Sequence, residues 1–265
     1  MPGVAVLGIT GRMGQSLVRA LQDSPKPLRL TGALASASSG RLGMDAAAEG
    51  APTGVTVTAD LEEALRRAAV ALDFSTPLNV GAHANACAER RVPLLIGTTG
   101  FDAPTRALLE SAALKIAVLI APNTSVGVGV LSRLVSLATA ALGEGFDVEI
   151  AEAHHRLKRD APSGTALALG EAVAQARGAA LEDLAVYDRH GASDPRRPGS
   201  IGFSVVRAGD IVGEHTVTFA SRGERIELIH RATDRIVFAR GALRAAEWLI
   251  GRPAGLYGMR DVLGL

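Results

Sequence analysis

Between Glu149 and Ala166 the chain gathers His154, His155, Arg156, Lys158, Arg159 and Asp160, and closes with Pro162, Ser163, Gly164 and Thr165. So many cations just ahead of a helix start make a trap for a carboxylate. The free N–H groups and the dipole of a first helical turn attract anions, and Lys or Arg adds charge-assisted hydrogen bonds. The backbone N–H groups of Gly164 and Thr165, with the hydroxyls of Ser163 and Thr165, would hold one carboxylate. Lys158 or a neighbouring arginine would hold charge nearby. A histidine beside such a trap exchanges a proton near neutral pH. Adjacent residues of an extended chain point to opposite sides, so only one of His154 and His155 is expected to do acid–base work. The pair is also ill placed to share a metal ion, and no metal site is expected.

A second constellation sits at the other end of the chain. Gly8, Ile9, Thr10, Gly11, Arg12, Met13 and Gly14 follow the first apolar run and open the first helical pattern. In a dinucleotide fingerprint the first glycine makes the tight turn, the second admits a pyrophosphate to the backbone, and the third lets helix pack on strand. The second strand then decides between cofactors. An NAD site places a carboxylate at its end to bind the ribose hydroxyls. Here the stretch from Gly32 to Arg41 contains Ala35, Ser36 and Ser38 but no acid. Ser36 and Ser38 could bond a 2′-phosphate and Arg41 could pair with it, although a plain polar loop explains Arg41 as well. NADPH is therefore expected, with NADH tolerated.

Alternating strands and helices are needed to position these groups. Apolar runs at Val4–Leu7, Leu28–Leu34, Val55–Thr58, Val70–Phe74, Pro93–Ile96 and Lys115–Ile120 read as strands. Helical spacing occupies Arg12–Leu21, Leu61–Ala68, Leu78–Arg90 and Asp102–Ala113. Such alternation with wholly apolar strands predicts a parallel sheet covered on both faces. Beyond it the texture changes. Val128–Leu142 is helical, Phe146–Ala153 alternates as a strand, and Ser163 is placed to cap a helix running to Ala176. Residues 185–200 read as loop. Ile201–Arg207, His215–Ser221 and Arg225–Arg231 read as strands separated by polar turns, which suggests antiparallel pairing. Asp234–Ile250 is a closing helix, followed by a glycine-rich tail. The expected division is 1–125 with 235–265 as a dinucleotide-binding domain, and 126–234 as an α+β substrate domain.

Composition narrows the field. Hydrophobic residues make up 48% and aromatics only 3%, so the core must be aliphatic. Lys and Arg number 28 against 27 Asp and Glu, so no basic excess argues for nucleic-acid binding. Cys87 is the single cysteine, so neither an internal disulfide nor a multi-cysteine metal site is expected. It stands among small residues with no cation to activate it, which argues against the thiolate chemistry of a semialdehyde dehydrogenase. The first residues lack the character of a signal peptide, and no apolar run reaches the roughly 18 residues of a membrane span. A soluble cytoplasmic protein is expected.

The chain resembles the 4-hydroxy-tetrahydrodipicolinate reductase family, also called dihydrodipicolinate reductases, over nearly its whole length. The likeness rests on Gly8–Gly14, Asp73-Phe74-Ser75, Ile96–Phe101, Ala121–Gly127, Glu152–Ala166, Ile201-Gly202-Phe203 and Arg207–His215. The resemblance implies a Rossmann-type parallel sheet domain plus an α+β domain. It implies too that the open mixed sheet of the second domain binds substrate and builds a homotetramer, and that the C-terminal helix returns to the first domain. It implies that NADPH and/or NADH touches Gly8 to Met13, Phe74, Gly97, Thr98, Thr99, Ala121, Pro122, Asn123 and Thr124. The family often carries an acid where this chain has Ala35, followed by Ser36. His154 matches the proton donor, Lys158 the catalytic lysine, and His155, Gly164 and Thr165 substrate-binding positions. The implied reaction delivers hydride to a cyclic dicarboxylate imine or enamine in lysine/diaminopimelate biosynthesis. An inert NAD(P)H-binding sensor of the same fold is the alternative, and it predicts a degraded acid–base segment.

Overall fold

The computed structural model describes residues 1–23, 28–191 and 195–265. They form two compact units, one of residues 1–126 with 235–265 and the other of residues 127–234. In the first unit the order is β1 (Gly3–Leu7), α1 (Arg12–Asp23), β2 (Arg29–Leu34), β3 (Val57–Thr58), α2 (Leu61–Leu65), β4 (Val70–Asp73), α3 (Pro77–Glu89), β5 (Leu94–Ile96), α4 (Ala103–Ala113) and β6 (Ala117–Ile120). These strands are parallel, in spatial order β6-β5-β4-β1-β2-β3. Alternate residues feed opposite faces. Val4 and Val6 enter a core with Leu17 and Val18 of α1, while Ala5 and Leu7 enter one with Val80 of α3 and Leu109 of α4. Burial on both faces is why these strands are uniformly apolar. Caps set the helix starts: Asp60 accepts from the N–H groups of Glu62 and Glu63, and Asp102 from that of Thr105.

The second unit holds α5 (Val126–Leu142), which begins at its border, then β7 (Asp147–His154), α6 (Gly164–Ala176), α7 (Leu181–Leu184), β8 (Ala185–Val186), β9 (Ile201–Arg207), β10 (Gly213–Ser221) and β11 (Glu224–Ala232). The sheet order is β11-β10-β7-β9-β8. Leu131 and Val135 of α5 and Leu169 and Val173 of α6 join a core with Val148, Ile150, Val217 and Phe219. β10 runs antiparallel to both β11 and β7, but β9 runs parallel to β7, against the antiparallel expectation for all three late strands. The reason is the connection: α6 lies between β7 and β9, and a crossover helix returns a chain in the same direction. Residues 185–200 are not all loop, because Ala185 and Val186 pair with β9; positions 192–194 lie outside the described residues.

Two further expectations are corrected. The helical stretch Val126–Gly145 has 20 residues and is long and apolar enough, by length and composition, to cross a membrane. Counting uninterrupted apolar runs missed it because Ser132, Arg133, Ser136 and Thr139 break the run without lowering its mean much. It buries Leu131, Val135 and Thr139 and exposes Val130, Leu134 and Leu137. The glycine-rich tail is also structured. After α8 (Ile236–Leu249), β12 (Gly255–Tyr257) pairs parallel with β6, and α9 (Met259–Leu263) buries Val262. Elements of three and five residues are too short for a periodic signal.

Candidate active site

In the first unit, five predicted loops meet along one edge of the sheet because parallel strands end together. Hydrogen bonds stitch each loop to its neighbour. Ala121 N–H donates to Ile96 O, Gly97 N–H to Asp73 O, Phe74 N–H to Leu7 O, Gly8 N–H to Leu34 O, and Ala35 N–H to Thr58 O. β1 lies where the strand order reverses, with β4 on one side and β2 on the other. Such switch points are where open α/β sheets bind ligands.

The glycine turn fits a pyrophosphate. Gly8 has φ +92°, and a Cβ there would lie 2.5 Å from Phe74 O. A Cβ on Gly14 would lie 2.4 Å from Ile9 O, so α1 packs onto the turn only with glycine. The Ile9 side chain is buried, leaving its backbone to serve a ligand, whereas Thr10, Gly11 and Arg12 are exposed and Met13 half-buried. The first N–H groups of α1, including those of Arg12 and Met13, have no acceptor inside the helix. Gln15 secures the turn, donating from Nε2 to Ile9 O and Ala46 O at 2.9 Å each.

A buried carboxylate organises the neighbouring loops. Asp73 accepts from Ser75 N (2.9 Å), Ser75 Oγ (2.7 Å), Thr98 Oγ1 (2.8 Å) and His83 Nδ1 (2.7 Å). Burial alone would raise its pKa; the bonds from His83 and Ser75 outweigh that and hold it below the usual range. The Thr98 hydroxyl is thus engaged inside the protein. The Phe74 ring covers Gly97, where a Cβ would sit 2.0 Å from Cε1. Thr124 Oγ1 donates to Phe238 O at 2.7 Å, and Asn123 Oδ1 accepts from Ser125 N at 2.9 Å. At the end of β2, Ala35 is buried and Ser36 exposed, with Ser36 Oγ 2.9 Å from Ser38 Oγ. Arg41 donates to Asp45 O and Ala47 O at 2.7 Å each, and so braces its own loop. Cys87 is buried in α3, its thiol pushed up to about 12 by burial and by the Asp73 charge, so it is no thiolate nucleophile.

In the second unit the predicted residues gather at the end of β7. Val148, Ile150, Glu152 and His154 share one face by the two-residue period; the first two are core and the last two polar. Glu152 is only 3% exposed and is ringed by donors. Its Oε2 accepts from His154 Nδ1 (2.6 Å) and Arg207 Nη1 (2.7 Å), and its Oε1 from Arg207 Nη2 (2.8 Å) and Ser163 N (2.9 Å). Burial raises its pKa, but Arg207, His154 and Ser163 together bring it below the ordinary value, so it is a carboxylate. His154 lies below the usual histidine value: burial lowers it, Glu152 raises it, and the charges of Lys158 and Arg207 lower it further.

Ser163 caps α6, its Oγ accepting from Ala166 N at 3.2 Å and lying 3.0 Å from His215 Nε2. It is buried, so the hydroxyl expected to meet a ligand is engaged within the protein. A Cβ on Gly164 would meet no atom within 4 Å. Lys158 Nζ donates to both oxygens of Asp160 (2.9 and 2.7 Å). His155 follows the last residue of β7, and Thr165 lies in the first turn of α6. His215, opposite Glu152 on β10, meets His154 edge to face with ring centroids 5.2 Å apart. Burial, then the His154 charge, lowers His215 to about 4, so it is neutral.

Glu152, Arg207 and His215 were not singled out from sequence. The signal for Glu152 was present in the alternation that places it beside His154. Arg207 and His215 come from distant strands, and only sheet register reveals them. Among the described residues, no group of three or more His, Cys, Asp or Glu could hold a metal ion.

Comparison with known proteins agrees along the whole chain. Residues 3–124 match the family model described as dihydrodipicolinate reductase, N-terminus, and residues 127–263 the one described as its C-terminus. A 4-hydroxy-tetrahydrodipicolinate reductase of Thiobacillus denitrificans is 52% identical over 263 residues, covering 99% of this chain and 98% of the relative. That of Bordetella parapertussis is 51% identical, covering 99% and 97%. Among solved structures, a dipicolinate-bound dihydrodipicolinate reductase from Paenisporosarcina superposes with TM-score 0.78 at 28% identity, covering 98% of this chain and 99% of that one.

Proposed function

This chain belongs to the dihydrodipicolinate reductase family, oxidoreductases that reduce 4-hydroxy-tetrahydrodipicolinate to tetrahydrodipicolinate with NAD(P)H in lysine/diaminopimelate biosynthesis, and we propose how its two units divide that work. The first unit, with its returning C-terminal segment, binds the dinucleotide. The turn Gly8, Ile9, Thr10, Gly11, Arg12 and Met13 receives the pyrophosphate. Ala35 and Ser36 border the adenosine ribose, and Phe74, Gly97, Thr98, Thr99 and the segment Ala121-Pro122-Asn123-Thr124 border the rest of the cofactor. The reduced nicotinamide supplies the hydride when bound.

The second unit binds the dicarboxylate and manages the proton. One observation carries this reading: His154, Lys158 and the first turn of α6 converge at the end of β7. The N–H groups of Gly164 and Thr165, with the Thr165 hydroxyl and His155, hold carboxylate; the open space beside Gly164 suits an approaching anion. Lys158 leaves Asp160 for the more negative substrate and stabilises charge that develops on the ring as hydride arrives. His154 gives that position a proton. Turnover of 4-hydroxy-tetrahydrodipicolinate, followed as loss of NAD(P)H absorbance, tests the whole. Steady oxidation that requires the cyclic substrate supports it, and cofactor binding without turnover favours an inert sensor.

NADPH is the preferred donor and NADH is tolerated. The end of β2 presents hydroxyls and no carboxylate, so nothing repels a 2′-phosphate. Ala35→Glu should move the ratio of kcat/KM values for the two nucleotides toward NADH by about tenfold, roughly 1.4 kcal/mol. An unchanged ratio would mean that position 35 does not read the ribose. The enzyme is further proposed to act in the cytoplasm as a homotetramer. Support for association is the outer face of the second sheet, on which Ala151 of central β7, Val206 of β9 and Ile229 of β11 are all exposed.

A further inference from the structure

We propose that Glu152 is a positioning residue for the proton donor: its carboxylate holds Nδ1 of His154, so that the transferable proton is the one on Nε2. The inference rests on the reading that His154 donates the proton. A carboxylate only accepts hydrogen bonds, so the 2.6 Å contact requires a proton on Nδ1 whether the ring is charged or neutral. The arrangement is over-determined. Both oxygens of Glu152 accept from Arg207, and Oε1 also takes the N–H of Ser163 at the cap of α6. The carboxylate is therefore fixed to β9 and to the helix start, and it fixes the imidazole in turn.

The other ring nitrogen faces a different neighbour. A Cβ on Gly213 would lie 3.0 Å from Nε2 of His154 and 3.4 Å from Cδ2, so glycine on β10 keeps that edge of the ring clear. The ring is thus held at Nδ1, and no side chain at position 213 presses on Nε2, as a directed proton donor requires.

The charge matters as well as the geometry. Four groups face His154 from the elements around it: Glu152 on β7, Lys158 on the following loop, Arg207 on β9 and His215 on β10. Asp160 and His230 stand behind them. Among the largest influences on His154, the Glu152 charge favours its protonated form and opposes burial, Lys158 and Arg207. A proton donor must be protonated to work, so activity falls as pH rises through its pKa. Removing the Glu152 charge therefore moves the alkaline limb to lower pH.

Glu152→Gln in the full-length enzyme tests this. Each oxygen now meets two donors, so the amide NH2 must oppose one pair in either orientation. We expect kcat to fall about 10- to 100-fold, as for loss of groups that orient a ligating or catalytic histidine. NAD(P)H affinity should stay within about twofold, and the alkaline limb of kcat/KM should shift down by about one pH unit or more. A purely structural Glu152 would lower the melting temperature or the active fraction and leave the limb in place, which would overturn the proposal. Should the variant fail to fold, side-chain 15N spectra of the wild-type protein serve instead. Neutral His154 protonated on Nδ1 supports the proposal, and protonation on Nε2 overturns it. If His154→Ala keeps full turnover, the parent reading fails; if it is inactive while Glu152→Gln retains the wild-type profile, only the positioning role fails.

Discussion

At the scale of single residues, burial decides which histidine can carry a proton. His154 keeps an anionic partner, whereas His215 has Ser163 Oγ at Nε2 and cationic neighbours, and it is lowered to about 4. That depression links folding to pH. A histidine whose folded pKa lies below its unfolded value of about 6.5 binds fewer protons folded than unfolded between the two values. Its contribution to stability is complete above about 6.5 and is lost as pH falls toward 4, a loss of about 3 kcal/mol. His154, also lowered, acts in the same direction. Chemical denaturation between pH 7 and 4 should therefore show falling stability, and His215→Asn, which can still bond Ser163, should flatten the slope. An unchanged slope would mean that His215 does not titrate in that window.

Elements position the site through a few buried polar anchors. Asp73, the last residue of β4, binds the loop carrying Ser75, the loop carrying Thr98, and His83 on α3. Asp73→Asn should destabilise the protein by about 2–4 kcal/mol, since an amide cannot satisfy four donors and a buried charge-assisted pair is lost. It should also raise KM for NAD(P)H, because Phe74 and Gly97 lie on the loosened loops. Thermal unfolding and cofactor titration check both, and a wild-type melting temperature would contradict the first. Anchors of this kind were hard to read in advance. The strands of the first unit were legible because burial on two faces makes them uniformly apolar, and the glycine turn because its backbone geometry demands glycine. The direction of β9, the strand β12 and the partners of Glu152 were not, because each depends on a register set by distant residues. Ser163 was legible as a cap, but its engagement with His215 was not.

At the scale of the whole molecule, two properties are open to test. The first concerns association. The outer face of the five-stranded sheet leaves Ala151 of its central strand exposed, and Ile229 stands on the same face 45% exposed. If the proposed tetramer forms through this face, Ile229→Glu should yield smaller species in sedimentation velocity while the monomer remains folded; an unchanged sedimentation coefficient would place the interface elsewhere. The second is the division of labour itself, with the nucleotide held by one unit and the proton supplied by the other. The most direct test is His154→Ala, measured for turnover of 4-hydroxy-tetrahydrodipicolinate and for NAD(P)H binding in the same preparation. A kcat lowered about 10²- to 10⁴-fold with unchanged nucleotide affinity is the predicted result. Wild-type turnover would contradict the account.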